Sequence, residues 1–285
     1  MIRLAVRCRP ELAERVLADL VEIAPGGVEE ETGPGWVEYA VYGAAGELPS
    51  LPDLEAVAGA GLVEVTSSEI PDDWADRWQD FHKAIAIAGG RIVVRPSWEP
   101  HPGGDDRAGA EQSAGMDVIV DPGQAFGTGA HPTTRMCLEL LLEIADSGGA
   151  EGSLADWGTG SGILAAAGAM LGFEPVVACD DERAALAAAE ATARANGVRL
   201  ELARTDLRRE PPPTARTVTA NLTAPLLSEA AARLEQPPER LVCSGMLLGE
   251  ADEVVRSFAR LDLEEAERRT LGDWAALVLG RAEAP

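Results

Sequence analysis

Seven residues, Asp156-Trp157-Gly158-Thr159-Gly160-Ser161-Gly162, constrain this chain more than any others. They separate a short apolar run, Leu154-Ala155, from a longer one at 163–171. The first reads as the end of a buried strand, the second as an apolar helix. Glycines at such a junction let the backbone turn sharply and approach a ligand with no side chain in the way. A second apolar strand, Val176-Val177-Ala178-Cys179, leads into the acidic pair Asp180-Asp181. Strand, glycine turn, helix, strand and acid form the layout of a doubly wound domain that holds a nucleoside ribose.

From Asp117 onward, strand and helix patterns alternate. The periodicity predicts helices at 132–146, 162–171, 182–196, 223–234 and 248–260. It predicts strands at 153–156, 175–180, 199–204, 216–220, 240–244, 261–268 and 273–279. Such alternation implies a parallel sheet with helices on both faces. The last two strands have no helix between them, so the final one is expected to run antiparallel. Seven strands ending in a hairpin fit a Rossmann-like class I methyltransferase domain better than a dinucleotide dehydrogenase.

The first part of the chain reads differently. A strand at 2–8, a helix at 11–21, a hairpin of 27–31 and 36–42, a short helix at 51–57 and a strand at 62–67 follow in order. That order, β-α-β-β-α-β, implies a small α+β ferredoxin-like domain at 1–69. Residues 70–83 read as a helical linker, with a start signal in Pro71-Asp72-Asp73 and Trp74, Trp78 and Phe81 at helical spacing. The catalytic domain then spans 84–285. It opens with a hairpin over Gly89-Gly90 and a polar, glycine-rich stretch at 99–115 expected to be mobile.

Composition removes several function classes. No apolar run approaches the roughly 20 residues of a membrane span, and residues 1–6 do not read as a signal peptide. Four cysteines lie far apart without a Cys-x-x-Cys pair, so neither a metal site nor a disulfide framework is indicated. A reduced, cytoplasmic protein is expected. The net charge of −24 repels nucleic acid and anionic membranes and favours a basic partner. Solubility or a salt-adapted proteome explains the same charge equally well.

The glycines fall as Gly158-x-Gly160-x-Gly162, with Ile163 where a dinucleotide fingerprint has another glycine. A methionine tail needs only a backbone cradle, and Asp156 is placed to attract its ammonium. Dehydrogenase relays are poorly supplied. The tyrosines are Tyr39 and Tyr42 and the one lysine is Lys83, so no Tyr-x-x-x-Lys exists, and His101 lies in the mobile stretch. S-adenosylmethionine is therefore favoured over NAD. Asp180, at the strand edge, is placed to accept the ribose hydroxyls, with Asp181 and Glu182 as substitutes or helix-start charges. Asp206 either faces the adenine or caps a solvated turn.

Two further segments carry a family resemblance. One is 121–134, DPGQAFGTGAHPTT, a Gly-Pro-rich turn with an embedded Phe126 and a Pro-Thr-Thr helix start. The other is Asn221-Leu222-Thr223-Ala224-Pro225-Leu226 at the end of a strand, where an asparagine amide can hold a nucleophilic amine. Together they resemble the PrmA family, methyltransferases of ribosomal large-subunit protein L11. The resemblance runs from residues 71–81, through Pro96-Ser97-Trp98-Glu99, to the last strand. It departs at Trp157-Gly158-Thr159-Gly160, where the family often has Phe-Gly-Cys-Gly. It departs again after Asn221, where this chain is one residue shorter.

The resemblance implies that Thr134, Gly158, Gly160, Asp180 and Asn221 bind S-adenosylmethionine, with Asn221 also positioning the amine. It implies methylation of lysine and α-amino groups of L11, a basic substrate gripped by the small domain. Neither direct nucleic-acid binding nor a membrane is expected, and a monomer is. Other readings stay open at this point. One is a lysine methyltransferase for another protein, such as an electron-transfer flavoprotein subunit; another is a non-catalytic cofactor-binding partner of the ribosome. His131, Phe126, Thr133 and Thr134 each have a plain structural reading as well, as helix start, core or cap.

Overall fold

A computed structural model describes residues 2–13, 16–17, 29–43, 62–69, 83–101, 115–121 and 129–281. The chain divides into two compact units, Met1–Phe81 and His82–Pro285. Of the expected helix at 11–21 only residues 11–13 and 16–17 are described; the expected helix at 51–57 and the linker helix at 71–81 lie outside the described residues, as do Phe126 and most of the stretch at 99–115.

The first unit carries β1 (Ile2–Cys8), β2 (Glu29–Gly33), β3 (Trp36–Gly43) and β4 (Leu62–Glu69) in the sheet order β2-β3-β1-β4. All three pairings are antiparallel. That order and polarity are those of a ferredoxin-like βαββαβ unit. Gly33 pairs directly with Trp36, which makes Pro34-Gly35 a two-residue hairpin loop. Cation and ring also meet here: the Arg7 guanidinium lies 4.1 Å from the Trp36 ring centre and bonds Glu38 at 2.8 Å.

The second unit opens with a small sheet. Strands β5 (Ile85–Ile87) and β6 (Ile92–Arg95) form the expected hairpin over Gly89-Gly90. The parallel partner β7 (Met116–Ile119) was not foreseen. Its four residues follow a long polar stretch, too short a run for period-two patterning to register. Arg95 fastens this sheet through a bidentate pair with Asp117 at 2.8 and 2.7 Å, and donates to Glu99 O at 2.7 Å. Both side chains are largely buried, the setting in which such a pair matters for position.

The main sheet holds β8 (Leu154–Trp157), β9 (Val176–Asp180), β10 (Glu201–Arg204), β11 (Thr217–Asn221), β12 (Arg240–Leu247), β13 (Leu263–Leu271) and β14 (Trp274–Arg281). Their order is β10-β9-β8-β11-β12-β14-β13. The pairs among β8 to β12 are parallel, whereas β14 runs antiparallel to both β12 and β13, as the missing crossover helix requires. Among the described residues of this unit are five α-helices: α1 (Pro132–Asp146), α2 (Ile163–Met170), α3 (Arg183–Ala195), α4 (Ala224–Arg233) and α5 (Ala251–Ala259). A 3-10 turn, Leu248–Glu250, takes the first residues expected of the last helix.

Alternation along the strands splits the core into two layers. Leu154, Val176, Val242 and Ala276 pack with Leu138 and Leu141 of α1 and Ile163 of α2. Trp157, Val218, Leu241, Met246 and Leu277 pack with Leu227 of α4 and Phe258 of α5. Burying a side chain of this size contributes about 2 kcal/mol. Helix α2 is apolar nearly all round because it is buried on most sides, from Ile163 to Gly168.

Candidate functional site

The sheet changes direction between β8 and β11: strands added after β9 continue one way, those after β11 the other. Ligands of open α/β sheets bind at this switch point, beyond the carboxyl ends of the strands. Two of the expected residues follow β8, one ends β9, one ends β11, and Thr134 begins α1. The structure thus gathers all five at one end of the sheet.

The glycine turn is a shaped backbone. Gly158 has φ +64°, a left-handed conformation that L side chains rarely adopt, and a Cβ there would land on Leu222 Cδ2. Thr159 N donates to Cys179 O at 2.9 Å. Gly160 N donates to Asp180 Oδ2 at 3.0 Å, while Glu182 N donates to the other oxygen, Oδ1, at 3.0 Å. The Asp180 carboxylate therefore joins the turn directly, and each oxygen keeps a further lone pair for a ligand hydroxyl.

Asn221 and Thr134 meet on the other side. Asn221 Nδ2 donates to the Thr134 hydroxyl at 3.2 Å across 87 residues of chain. Asn221 Oδ1 is buried and has no partner among the described residues. A buried carbonyl without a donor costs about 1–3 kcal/mol, so the strand holds open an acceptor that a ligand N–H or O–H can satisfy. The loop after Asn221 is held close by Leu222 N donating to Ser244 O at 2.9 Å.

Asp156 is held by groups of the turn, α2 and β11. It is buried, and its oxygens accept from the hydroxyls of Thr159 at 2.6 Å and Thr219 at 2.7 Å, with Ala165 N as a third donor. Burial pushes its carboxyl up to about 6, against the lowering effect of those three hydrogen bonds. The acid ties the turn, the start of α2 and strand β11 together.

Two residues considered in the sequence, His131 and Asp206, serve as caps. His131 is the N-cap of α1: its Nδ1 contacts the Thr133 hydroxyl at 2.7 Å, and its ring stands edge-on to Trp274 at 4.8 Å. Burial lowers its pKa. Asp206 caps its own turn, accepting from Arg208 N at 3.0 Å. It also lines a charged surface cavity of about 320 Å³ with Asp181, Arg204, Arg209 and Glu210.

Sequence reasoning missed three further sets of contacts. Gly245, at a bulge in β12 with φ +88°, lies under the backbone of Leu222. Asn196 brackets Ile119, donating to its carbonyl at 2.7 Å and accepting from its N–H at 2.8 Å. Asp121 accepts from Ser97 N and Oγ at 2.6 and 3.1 Å, which joins the start of the 121–134 segment to the Pro96–Glu99 turn. A glycine inside a strand pattern was the one available signal, for Gly245.

A family model described as Ribosomal protein L11 methyltransferase (PrmA) matches residues 52–282. The chain belongs to this family. A protein of Heliobacterium modesticaldum named ribosomal protein L11 methyltransferase is 37% identical over 217 residues, covering 74% of this chain and 65% of that protein, just under two thirds of its length. One of the same name from Pelotomaculum thermopropionicum is 34% identical, covering 97% of each. The crystal structure of ribosomal protein L11 methylase from Lactobacillus delbrueckii subsp. bulgaricus superposes with a TM-score of 0.59 at 26% identity. That match covers 70% of this chain and all of the other. The fold is that of a class I methyltransferase, and the cofactor of the PrmA family is S-adenosylmethionine. The residues present fit it: an unpartnered acceptor at Asn221, a backbone cradle at Gly158 and a carboxylate at Asp180. Among the described residues no cluster could hold a metal, and no helix is long and apolar enough to cross a membrane.

Proposed function

We propose that this chain methylates ribosomal protein L11 on lysine side-chain amines and on the α-amino group. The observation that carries the reading is the buried, unpartnered Asn221 Oδ1 at the switch point, beside Thr134 and the glycine turn. S-adenosylmethionine supplies, when bound, an electrophilic methyl group on a sulfonium. Displacement at that carbon is in-line, so the protein's share of catalysis is mostly positioning. Gly158 and Gly160 cradle the methionine portion with backbone groups, and Asp180 accepts the ribose hydroxyls. Thr134 holds the Asn221 amide in place.

Asn221 Oδ1 accepts an N–H of the incoming amine and turns its lone pair toward the methyl carbon. An ammonium must lose a proton first. A partly dry site lowers the amine pKa, so no dedicated base is required. The net charge of −24 supports a basic substrate drawn in by long-range attraction. The same charge supports a monomer without direct nucleic-acid contact, and four widely spaced cysteines support a reduced, cytoplasmic setting. The small first domain, at 1–69 with a linker at 70–83, grips the substrate.

Radiolabelled S-adenosylmethionine added to the protein and an extract from cells lacking this activity tests the reading. Label on one small basic ribosomal protein, on lysine and the N-terminal amine, is the expected result. Label confined to a non-ribosomal protein overturns the substrate, and cofactor binding without any label overturns the chemistry.

A further inference from the structure

We propose that Thr219 is a positioning residue whose hydroxyl, through Asp156, locks the cofactor-holding glycine turn to the strand that ends in Asn221. The inference rests on the methyltransferase reading of the site and adds to it the device that fixes cofactor and amine relative to each other. Strand β11 is buried on both faces, and such central strands are usually apolar throughout. Val218 and Ala220 follow that rule, whereas Thr217 and Thr219, both fully buried, break it, and of the two only the Thr219 hydroxyl has a hydrogen-bond partner among the described residues. Its register explains why. Thr219 pairs with Asp156 across the parallel ladder, on the one pair of strands that flanks the switch point.

Asp156 then acts as a two-ended clamp. Oδ1 accepts from Thr219 at 2.7 Å and Oδ2 from Thr159 at 2.6 Å. Thr159 stands between Gly158 and Gly160, and Thr219 stands two residues before Asn221 on the same face of β11. Hydrogen bonds to a buried carboxylate are short and directional, so they fix the turn against the strand more tightly than apolar contact does. A displacement of the turn along β11 would move the methyl donor relative to Asn221, and transfer is sensitive to misplacement on the order of 1 Å.

Substitution at Thr219 separates this role from packing. Thr219→Ser keeps the hydroxyl and loses a methyl group; Thr219→Val keeps the volume and loses the hydroxyl. The affinity for S-adenosylhomocysteine, read by calorimetry, needs no methyl acceptor. Serine is expected to stay within about twofold of the parent protein, and valine to weaken binding about tenfold. Turnover of the valine protein at saturating cofactor should fall as well, showing a kcat loss that added cofactor does not restore.

A packing role gives the opposite order, serine worse than valine, and that order overturns the inference, as does a valine protein equal to the parent. The same exchange at Thr159 probes the other end of the clamp and decides the matter if Thr219→Val does not fold. Absence of label on L11, with the serine-over-valine order intact in S-adenosylhomocysteine binding, overturns the proposed substrate and supports the clamp. A parent protein that binds no S-adenosylhomocysteine overturns both.

Discussion

The turn after β8 and the loop after β11 leave neighbouring parallel strands at the same end of the sheet, and each leads into a helix. They dispose of their polar groups in opposite ways. In the first, Asp156 is surrounded by Thr159, Thr219 and the Ala165 N–H. In the second, Asn221 spends its amide N–H on Thr134 and leaves its oxygen buried, without a partner among the described residues. A satisfied polar cluster makes shape, and an unsatisfied one is stored cost that a ligand relieves. The contrast assigns the first segment to holding and the second to meeting what enters.

The greatest strain on that contrast comes from Gly245. The backbone of Leu222 passes over it, and a Cβ would sit 2.5 Å from Leu222 O and 2.8 Å from Leu222 N. Main-chain atoms cannot step aside as a flexible side chain can, and φ +88° is itself unfavourable for alanine. Gly245→Ala is expected to lower the unfolding free energy by about 3 kcal/mol. Urea denaturation measures it. A loss below about 1 kcal/mol would mean that the loop after β11 is not pinned from beneath.

Next is the acid of the satisfied cluster. Its folded-state pKa of about 6 lies above the ordinary carboxylate value of 3.8. The folded protein therefore binds more protons than the unfolded chain between those values. The stability contributed is full below pH 3.8 and is lost as pH rises through about 6. The groups that face Asp156 are Asp180, Cys179 and Cys137, whose thiols burial raises and keeps protonated.

Asp156→Asn removes this titration while retaining an acceptor for one hydroxyl or for Ala165 N. Between pH 4 and pH 7 the stability of the parent relative to the asparagine variant should fall by about 2 kcal/mol. Parallel pH dependences in the two proteins would contradict the assignment of a protonatable, buried Asp156.

These two residues also mark how far the sequence could be read. The seven strands of the main sheet and the five described helices were legible because buried elements are apolar at fixed periods: 163–171 could hardly be anything but a buried helix. The places of Asp180 and Asn221 at the ends of strands were legible from the same patterns. The direction in which Asp156 points was not. A carboxylate at a strand end serves a ligand or a neighbouring strand equally well, and its partner Thr219 is 63 residues away in sequence. Asn196, whose contacts with Ile119 span 77 residues, was hidden for the same reason. Local patterns carry periodicity and turn chemistry, while cross-strand hydrogen bonds depend on register, which only the folded sheet defines.

The smallest effect in stability is the most telling for function. Asn221→Ala removes one hydrogen bond, to Thr134, worth about 1 kcal/mol. It also removes a buried oxygen that has no partner among the described residues and is hydrated in the unfolded chain, which is a gain of similar size. The two nearly cancel, so the unfolding free energy should change by no more than about 1 kcal/mol. Turnover should behave otherwise. If Oδ1 orients the amine, its loss removes an interaction made in the reacting complex, and kcat should fall on the order of a hundredfold while S-adenosylhomocysteine affinity moves only a few-fold. A large destabilisation with little change in kcat would place Asn221 with Asp156, among the residues that make shape. Cheap in folding and expensive in turnover is the signature of a group kept for its ligand, and of the two segments only the one after β11 should show it.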